Sequence, residues 1–553
     1  MRNNAGLLSW PMVVGVTVVL SWAGHVHADS TREEGADRAE VSVGRTTRPW
    51  VSRMGHNIEY IRFGEGLWDD QKKSVLAGVD ELLRPLKIES LRYPGGNLVQ
   101  YHHWAEGIGP VEGRGTGYAD WAGHPQVWSM EFGTDEFFRF AEGIGAAEAM
   151  ITVNMPTSDE LEPWMGTAQE AAAWVAYCNA AVDQETPIGT DARGRDWGTA
   201  GDWAKRRVAN GRERPYGVKD WELGNEIFVT IKDPAWYAAR CREFARAMKA
   251  VDPTIRIGVV GNDLDFHMTE SPWNRALLEG TKGDVDFLIA HFYLPGINPD
   301  GGGDVTTRDV TRITLASPDR FRRRLADIQT TIRKVTGDRS KVGIAITEMA
   351  CNLGCMSQDP KVLAHIRSQQ SAVFLADTLL ALEEGRVAVS NYWTLRGWEW
   401  SVLELYDGKI VPQGAYVAYR LFADYKQDRV CETAVRCGQL ILNDSRREEF
   451  KRPAHPSLTA GATVDAAGKR IAVLLVNRAL DGPTAVTIKL ADEALAGGSC
   501  RLSLMSGPPD AINDAEHPQA IRITDGTIEM TGPGTARCTL PPCSIGLAEF
   551  RIP

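Results

Sequence analysis

The chain has 553 residues, 43% of them hydrophobic and 24% charged, with a formal net charge of −11. That length exceeds one ordinary domain, and the composition is ordinary for a soluble globular protein. The acidic balance argues against a nucleic-acid partner, because phosphate binding wants a basic face. Seventeen Trp are many; flat aromatic faces suit sugar rings, although most Trp in any chain pack in its core.

In chain order, Arg2 precedes an apolar run from about Gly6 to Ala23, and Val26-His27-Ala28 puts small residues at the two positions a signal peptidase reads. Residues 1–28 therefore read as a signal peptide cleaved after Ala28, and the mature chain as secreted or periplasmic. The apolar run is nearly long enough to span a bilayer, so an uncleaved membrane anchor is the alternative. No later segment is apolar enough for stable membrane insertion. Residues 29–49 read as a leader, charged and small up to about residue 40, that can pair with the C-terminal domain. Nine Cys in an exported chain make disulfides reasonable. Cys351 and Cys355 are four apart, Cys431 and Cys437 six apart, and Cys500, Cys538 and Cys543 cluster late in the chain; the odd count leaves at least one thiol unpaired. No Cys pair has His partners at zinc spacing, so no metal is expected. Cys178 and Cys241 read as small buried hydrophobes.

From 50 to 424, short apolar runs alternate with helical patterns. The runs fall at Gly55–Ile61, Ile88–Tyr93, Ala149–Val153, Val218–Leu223, Ile255–Val260, Val285–His291, Val342–Thr347 and Val387–Trp393. Helical spacing marks 168–182, a stretch near 273–280, 321–335 and 368–385, the last ending at Gly385. Eight buried strands alternating with helices is the count of a (β/α)8 TIM barrel, an α/β fold whose active site lies at the C-terminal strand ends. A doubly wound sheet would need a Gly-rich phosphate loop after its first strand, and none is there. From 425 to 553 strand-like runs follow one another without strong helices, at 439–443, 470–478, 484–490, 501–505, 520–524 and 544–552. They predict an antiparallel β-sandwich. The linker before it is not rich in Ser, Thr or Pro, which favours a buttress over a mobile carbohydrate-binding module.

Two carboxyl groups stand where such a barrel keeps its chemistry. Glu226 ends the fourth predicted strand in DWELGNEIF, and Glu348 ends the seventh in VGIAITEMACN. A charge straight after a buried strand costs burial energy unless it acts there. Hydrolysing a glycoside needs such a pair, one group to protonate the leaving oxygen and one to attack the anomeric carbon or activate water. Asn225, beside the proposed acid, can bond a sugar hydroxyl next to the reacting carbon. Glu59 lies near the end of strand one, Arg92 and Asn97 flank Tyr93-Pro94-Gly95-Gly96 after strand two, and His291 and Tyr293 follow strand six. Gly95 and Gly96 permit a tight turn that lets backbone approach a ligand. Arg92 is placed to hold a catalytic carboxylate ionised.

RYPGGNLVQYHHWAEGIGP (92–110), EFGTDEFFRFAEGIGAAEAM (131–150), AAWVAYCN (172–179) and PYGVKDWELGNE (215–226) resemble segments of glycoside hydrolase family 51, the α-L-arabinofuranosidases and some endoglucanases of clan A. The resemblance implies a retaining enzyme with Glu226 as acid/base and Glu348 as nucleophile. It implies substrate-binding roles for Glu59, Arg92, Asn97, Asn225, His291 and Tyr293, and neither cofactor nor metal. The chain departs from the family where Thr347-Glu348-Met349 replaces an Asp-Glu-Trp context. At strand eight, SNYWTLRGWEW (390–400) lacks an expected Gln, leaving Asn391 or Trp393 to take its place. The expected substrate is an arabinofuranoside, with a β-linked xyloside or glucoside as the alternative. A silent carbohydrate-binding barrel would have no chemical need for both carboxylates, and a lyase would have to use His291 or Tyr293 as base. As a retaining acid, Glu226 is expected to titrate high, with Glu348 ionised and the carboxyls about 5–5.5 Å apart. The sequence leaves oligomeric state open.

Overall fold

Eight short parallel strands, each with one face turned toward a common axis, close on themselves. In chain order they are Arg53–Asn57, Ser90–Tyr93, Ala149–Val153, Asp220–Leu223, Arg256–Val260, Phe287–Ile297, Gly343–Leu353 and Val389–Tyr392, and each pairs in parallel with its neighbour until the eighth meets the first. In the computed structural model, residues 38–551 are described apart from 122–123, 159–163, 263–270, 298–306, 339, 354–363, 398, 441, 443–454 and 492–498, with backbone alone over 117–127. Residues 1–37, which include the expected signal peptide and most of the expected leader, and Cys355 lie outside the described residues. Among those described, no helix is long and apolar enough to cross a membrane.

Side chains on a strand alternate between faces, so every second residue enters the barrel. Low in the interior, Met150, Phe287, Ile289, Ala345 and Val389 form an apolar cluster. Two residues further along the same strands, Thr152, His291, Thr347 and Asn391 follow; with Asn57, Arg92 and Glu222 they make the next layer polar, and all seven are buried. Gly55 is needed where the first two strands approach, since a Cβ there would lie 1.7 Å from the Ser90 carbonyl oxygen.

Helices Ala168–Asn179, Pro272–Gly280, Thr307–Thr336 and Gln369–Glu384 stand where the sequence shows helical spacing, the third running well ahead of Phe321 and through Pro318. Thr134–Ile144, Ala200–Ala209, Pro234–Val251 and Gly414–Tyr425 complete the outer ring.

The C-terminal domain is a ten-stranded sheet folded over its own core, in which Val41, Val473, Leu475, Ile488, Leu540 and Phe550 meet. It is antiparallel except at one place. Strand Arg38–Pro49 lies in its middle, antiparallel to Arg429–Arg436 and parallel to Thr484–Leu490. This domain packs against the barrel helix Gln369–Glu384, where Gln369 Nε2 donates to the Cys543 carbonyl at 2.9 Å. Arg478, fully buried, bridges to Asp377 and Asp319 on two barrel helices. The eight described Cys are all free thiols.

Candidate active site

Arg92 organises the upper end of the barrel. It leaves the second strand inward, is wholly buried, and uses its guanidinium four ways. Nε lies 2.5 Å from Glu222 Oε2, Nη1 donates to Asn57 Oδ1 (2.9 Å) and to Glu348 Oε1 (3.0 Å), and Nη2 donates to Asn225 Oδ1 (2.7 Å). Burial works against its charge, but the Glu222 and Glu348 carboxylates more than offset this and raise its pKa. Arg92 therefore stays a cation and ties the second, fourth and seventh strands to one point.

Glu348 sits beyond a break in register. Ala290 pairs with Ile346, but His291 pairs with Glu348, so Thr347 is the extra residue of a bulge. Bulges re-aim side chains, and this one places Thr347 and Glu348 side by side at the site. Glu348 Oε1 takes Arg92, and Oε2 accepts the Tyr293 hydroxyl at 2.7 Å. Burial and the Glu348 charge push the Tyr293 phenol well above its ordinary value, so it remains a donor.

Glu226 follows Gly224 and Asn225 after the fourth strand. Its backbone is left-handed (φ 44°, ψ 38°), a conformation that costs a non-glycine residue on the order of 1–3 kcal/mol and is retained where surroundings enforce it. Its side chain is 25% exposed, against 6% for Glu348, and Oε1 lies 3.0 Å from His291 Nδ1. Burial works to raise this carboxyl. The hydrogen bond and charge of His291, the Arg92 charge and a hydrogen bond with Asn97 outweigh it, so Glu226 lies below its ordinary value. The raised value expected of an acid is thus not found in the free site; the neighbouring imidazole accounts for the reversal.

The remaining expected residues divide. Asn97 Oδ1 accepts from Asn225 Nδ2 at 2.8 Å, and Gln100 Nε2 holds the Asn225 carbonyl at 3.1 Å, so Asn225 is locked beside the acid. Glu59 is buried against the glycine turn: a Cβ on Gly96 would meet Glu59 Oε1 at 3.1 Å and Trp393 Cη2 at 2.7 Å. Gly96 thus serves close packing of Trp393 over the turn. Asn391 does not reach the site; its Nδ2 donates to the carbonyls of His56 and Ser90 and to Ser90 Oγ, lower in the barrel. Of the two candidates at strand eight, Trp393 is the one beside Glu59.

Sequence reasoning missed Asn57, Thr152, Glu222, Thr347 and Glu65. Asn57 Nδ2 donates to the Thr347 carbonyl at 2.9 Å, and Thr152 Oγ1 donates to Glu222 Oε2 at 2.8 Å. Glu65 is buried and hydrogen-bonds with Glu59; burial raises its pKa above the ordinary range. A signal for Glu222 existed: a carboxylate inside a buried strand is costlier than one at its end, the argument that singled out Glu226.

Glu226, His291 and Glu348 each offer one atom within 4.8 Å of the other two, the spacing of a metal site. Hydrogen bonds to Arg92, Tyr293 and one another already engage these groups, which suits a carboxylate pair better than a cation. The same figure brings a carboxylate oxygen of each Glu close together, in keeping with the roughly 5–5.5 Å carboxyl spacing of a retaining pair.

A closed parallel barrel carrying adjacent carboxyls at the ends of its fourth and seventh strands has the architecture of a retaining glycoside hydrolase. Two family models match: the α-L-arabinofuranosidase 1 domain over residues 82–293 and the α-L-arabinofuranosidase C-terminal domain over 351–544. The chain is glycoside hydrolase family 51-like. It is 35% identical over 231 residues to α-L-arabinofuranosidase C of Emericella nidulans, a match covering 38% of this chain and 40% of that protein. Thus the chain spans about two fifths of the length of that relative. It is 25% identical to an exo-α-(1→6)-L-arabinofuranosidase of Bifidobacterium longum over 84% of this chain and 86% of the other. Among solved structures, a family 51 α-L-arabinofuranosidase from Bifidobacterium longum superposes with a TM-score of 0.77 at 22% identity, covering 93% of this chain and all of the other. The enzyme from Thermotoga petrophila gives 0.72 at 25% identity, covering 93% and 99%.

Proposed function

We propose that the chain is an exported, retaining α-L-arabinofuranosidase acting on oligosaccharide or polysaccharide glycosides. One observation carries the reaction class: a Glu226 oxygen, a Glu348 oxygen and a His291 nitrogen lie within 4.8 Å of one another, with Glu348 clamped by Arg92 and Tyr293. The sugar is supported by the named activities of the relatives.

In the first step a Glu348 oxygen forms a bond to the anomeric carbon as the bond to the leaving oxygen breaks. Glu226 delivers a proton to that oxygen. In the second step water attacks the anomeric carbon, Glu226 takes its proton, and Glu348 is released. Arg92 and Tyr293 hold Glu348 in a fixed orientation, so little reorganisation accompanies attack. Asn225, held by Arg92, Asn97 and Gln100, is placed to bond the hydroxyl beside the reacting carbon. Export rests on the signal-like segment 1–28.

The test is hydrolysis of aryl α-L-arabinofuranoside, β-D-xyloside and β-D-glucoside by the chain without residues 1–28, with Glu348→Ala in parallel. Arabinofuranoside turnover that vanishes in the variant is the expected result. Preference for the xyloside or glucoside would overturn the sugar and keep the mechanism, and activity surviving in Glu348→Ala would overturn the mechanism.

A further inference from the structure

The Glu226–His291 pair is backed by a chain of hydrogen bonds that ends on a carboxylate outside the catalytic pair. Glu222 is fully buried, with Arg92 Nε and the Thr152 hydroxyl on Oε2. A carboxylate held by a guanidinium can only accept. The Thr347 hydroxyl, 2.9 Å from Glu222 Oε1, must therefore be the donor in that contact. A hydroxyl has one proton, and this one is committed. The second contact of Thr347 Oγ1, to His291 Nε2 at 2.9 Å, can then form only if Nε2 carries a hydrogen.

We propose that Glu222, acting through Thr347, is a positioning residue that fixes a proton on His291 Nε2, leaving Nδ1 as the nitrogen that shares a proton with Glu226. The proposal rests on the glycosidase reading and deepens it. With Nε2 so committed, Nδ1 is the nitrogen that faces Glu226, and the 3.0 Å contact to Oε1 holds only with a proton in it, carried by the ring while Glu226 is ionised. That proton goes to the leaving oxygen in the first step. The carboxylate then faces a lone pair, which favours recovery of a proton from water in the second. The carboxylates around the ring favour keeping a proton in this pair. Nδ1 also faces Glu348 Oε2 at 3.6 Å, Nε2 faces Glu222 Oε1 at 4.0 Å, and Arg92 lies behind both carboxylates. If Thr347 lost its hydroxyl, the neutral ring could carry its proton on Nδ1 and bond an ionised Glu226, and the pair would hold one proton fewer.

Three variants and two readouts test this. In Thr347→Val the high-pH limb of kcat/KM should move to lower pH, since the acid form is lost sooner. Glycosides with poor leaving groups should slow by about tenfold or more, a part of the roughly 10²–10⁴-fold that general acids supply, while activated aryl glycosides change little. Glu222→Gln, whose amide can donate to Thr347, should act in the same direction, and Thr347→Ser should restore the wild-type profile. A uniform loss across leaving groups with an unmoved pH profile would overturn the proposal. The second readout needs no turnover. In ¹⁵N-histidine-labelled protein, with His291 assigned by loss of its signal in His291→Gln, Nε2 should be the protonated nitrogen of the neutral ring, and Thr347→Val should change that. A wild-type ring protonated on Nδ1 instead would overturn the assignment, whereas absence of glycoside hydrolysis would overturn only the enzymatic reading.

Discussion

Among the described residues, two fully buried arginines each bridge two carboxylates. Arg92 joins Glu222 and Glu348 at the top of the barrel; Arg478 joins Asp377 and Asp319 between barrel and sandwich. Around Arg478 the partners are tied to further protein groups: Arg322 adds contacts to Asp377 and Glu384, His455 Nδ1 lies 2.7 Å from Asp319, and Thr459 donates to Asp377. Around Arg92 the network stays open on one side, because Glu348 continues through His291 to the part-exposed Glu226. The same forked cation thus joins two domains where its partners are tied to further side chains of both, and on the proposed function supports the nucleophile where one partner leads to the part-exposed Glu226. Burial and ion pairing alone do not distinguish the two; what the far side of the carboxylate meets does.

The sharpest break in this comparison should come from Glu348→Ala, which is expected to lower turnover by on the order of 10⁴-fold or more, as removal of a nucleophile does elsewhere, with folding intact by circular dichroism. Glu226→Ala should slow substrates with poor leaving groups by roughly 10²–10⁴-fold and activated ones far less; equal losses on both would take the acid role away from Glu226. Arg92→Lys keeps the charge but replaces a planar fork with a single point donor. It should cost about tenfold or more in kcat/KM, and unchanged kinetics would show that the fork around Glu348 does not matter. Arg478→Met is the counterpart. Leaving buried Asp377 with Arg322 as its remaining cation should cost up to about 3–5 kcal/mol of stability, read as a lower Tm, with kcat/KM of the folded fraction unchanged. A fall in kcat/KM there would erase the distinction between the two sites.

The smallest effect concerns pH. Burial works to raise Asp319, but Arg478, His455 and Arg322 hold it far below its ordinary value of 3.8. A depressed carboxylate stabilises the fold fully above its unfolded value, and that contribution fades as pH falls through the interval below it. The interdomain clamp should therefore hold above about pH 4 and weaken on acidification. Thermal unfolding of the wild type should show this slope, and Asp319→Asn should flatten it.

How much of this could be read beforehand follows from where each residue points. Ala149–Val153 is the strand given by its apolar run, residue for residue, because its one polar residue, Thr152, is small and β-branched and leaves the run recognisable. At the fourth strand the observed element is Asp220–Leu223, shorter than the run from Val218, with Glu222 inside it. A polar residue turned into a barrel looks, in one dimension, like a solvent-facing one. That is why Glu226, just past its strand, and Glu348, just past the apolar run that opens its strand, were legible and why Asn57, Glu222 and Thr347 were not. Thr347 also needed the bulge, which depends on pairing between distant segments. The helix Thr307–Thr336 shows clear helical spacing only over 321–335, where charges occupy one face; it begins earlier and passes through Pro318, with Thr314 and Ser317 hydroxyls bonding carbonyls one turn back. Pro234–Val251 carries the same signal, since Tyr237, Cys241, Phe244, Met248 and Val251 are buried at helical spacing.

Strand Arg38–Pro49 has a final implication for how the molecule is assembled and divided. It lies in the middle of the C-terminal sheet, between Arg429–Arg436 and Thr484–Leu490, with the whole barrel separating it in sequence from both. During synthesis this strand emerges first and must wait, unpaired, until the barrel has been made and its neighbours arrive. The sandwich is therefore not a cassette that can be cut off at its apparent boundary and moved to another barrel. A transplant that begins after residue 425 would carry a sheet with a missing central rib, exposing two strand edges where the native molecule has none. The barrel left behind would keep an orphan strand suited to pairing with a second chain.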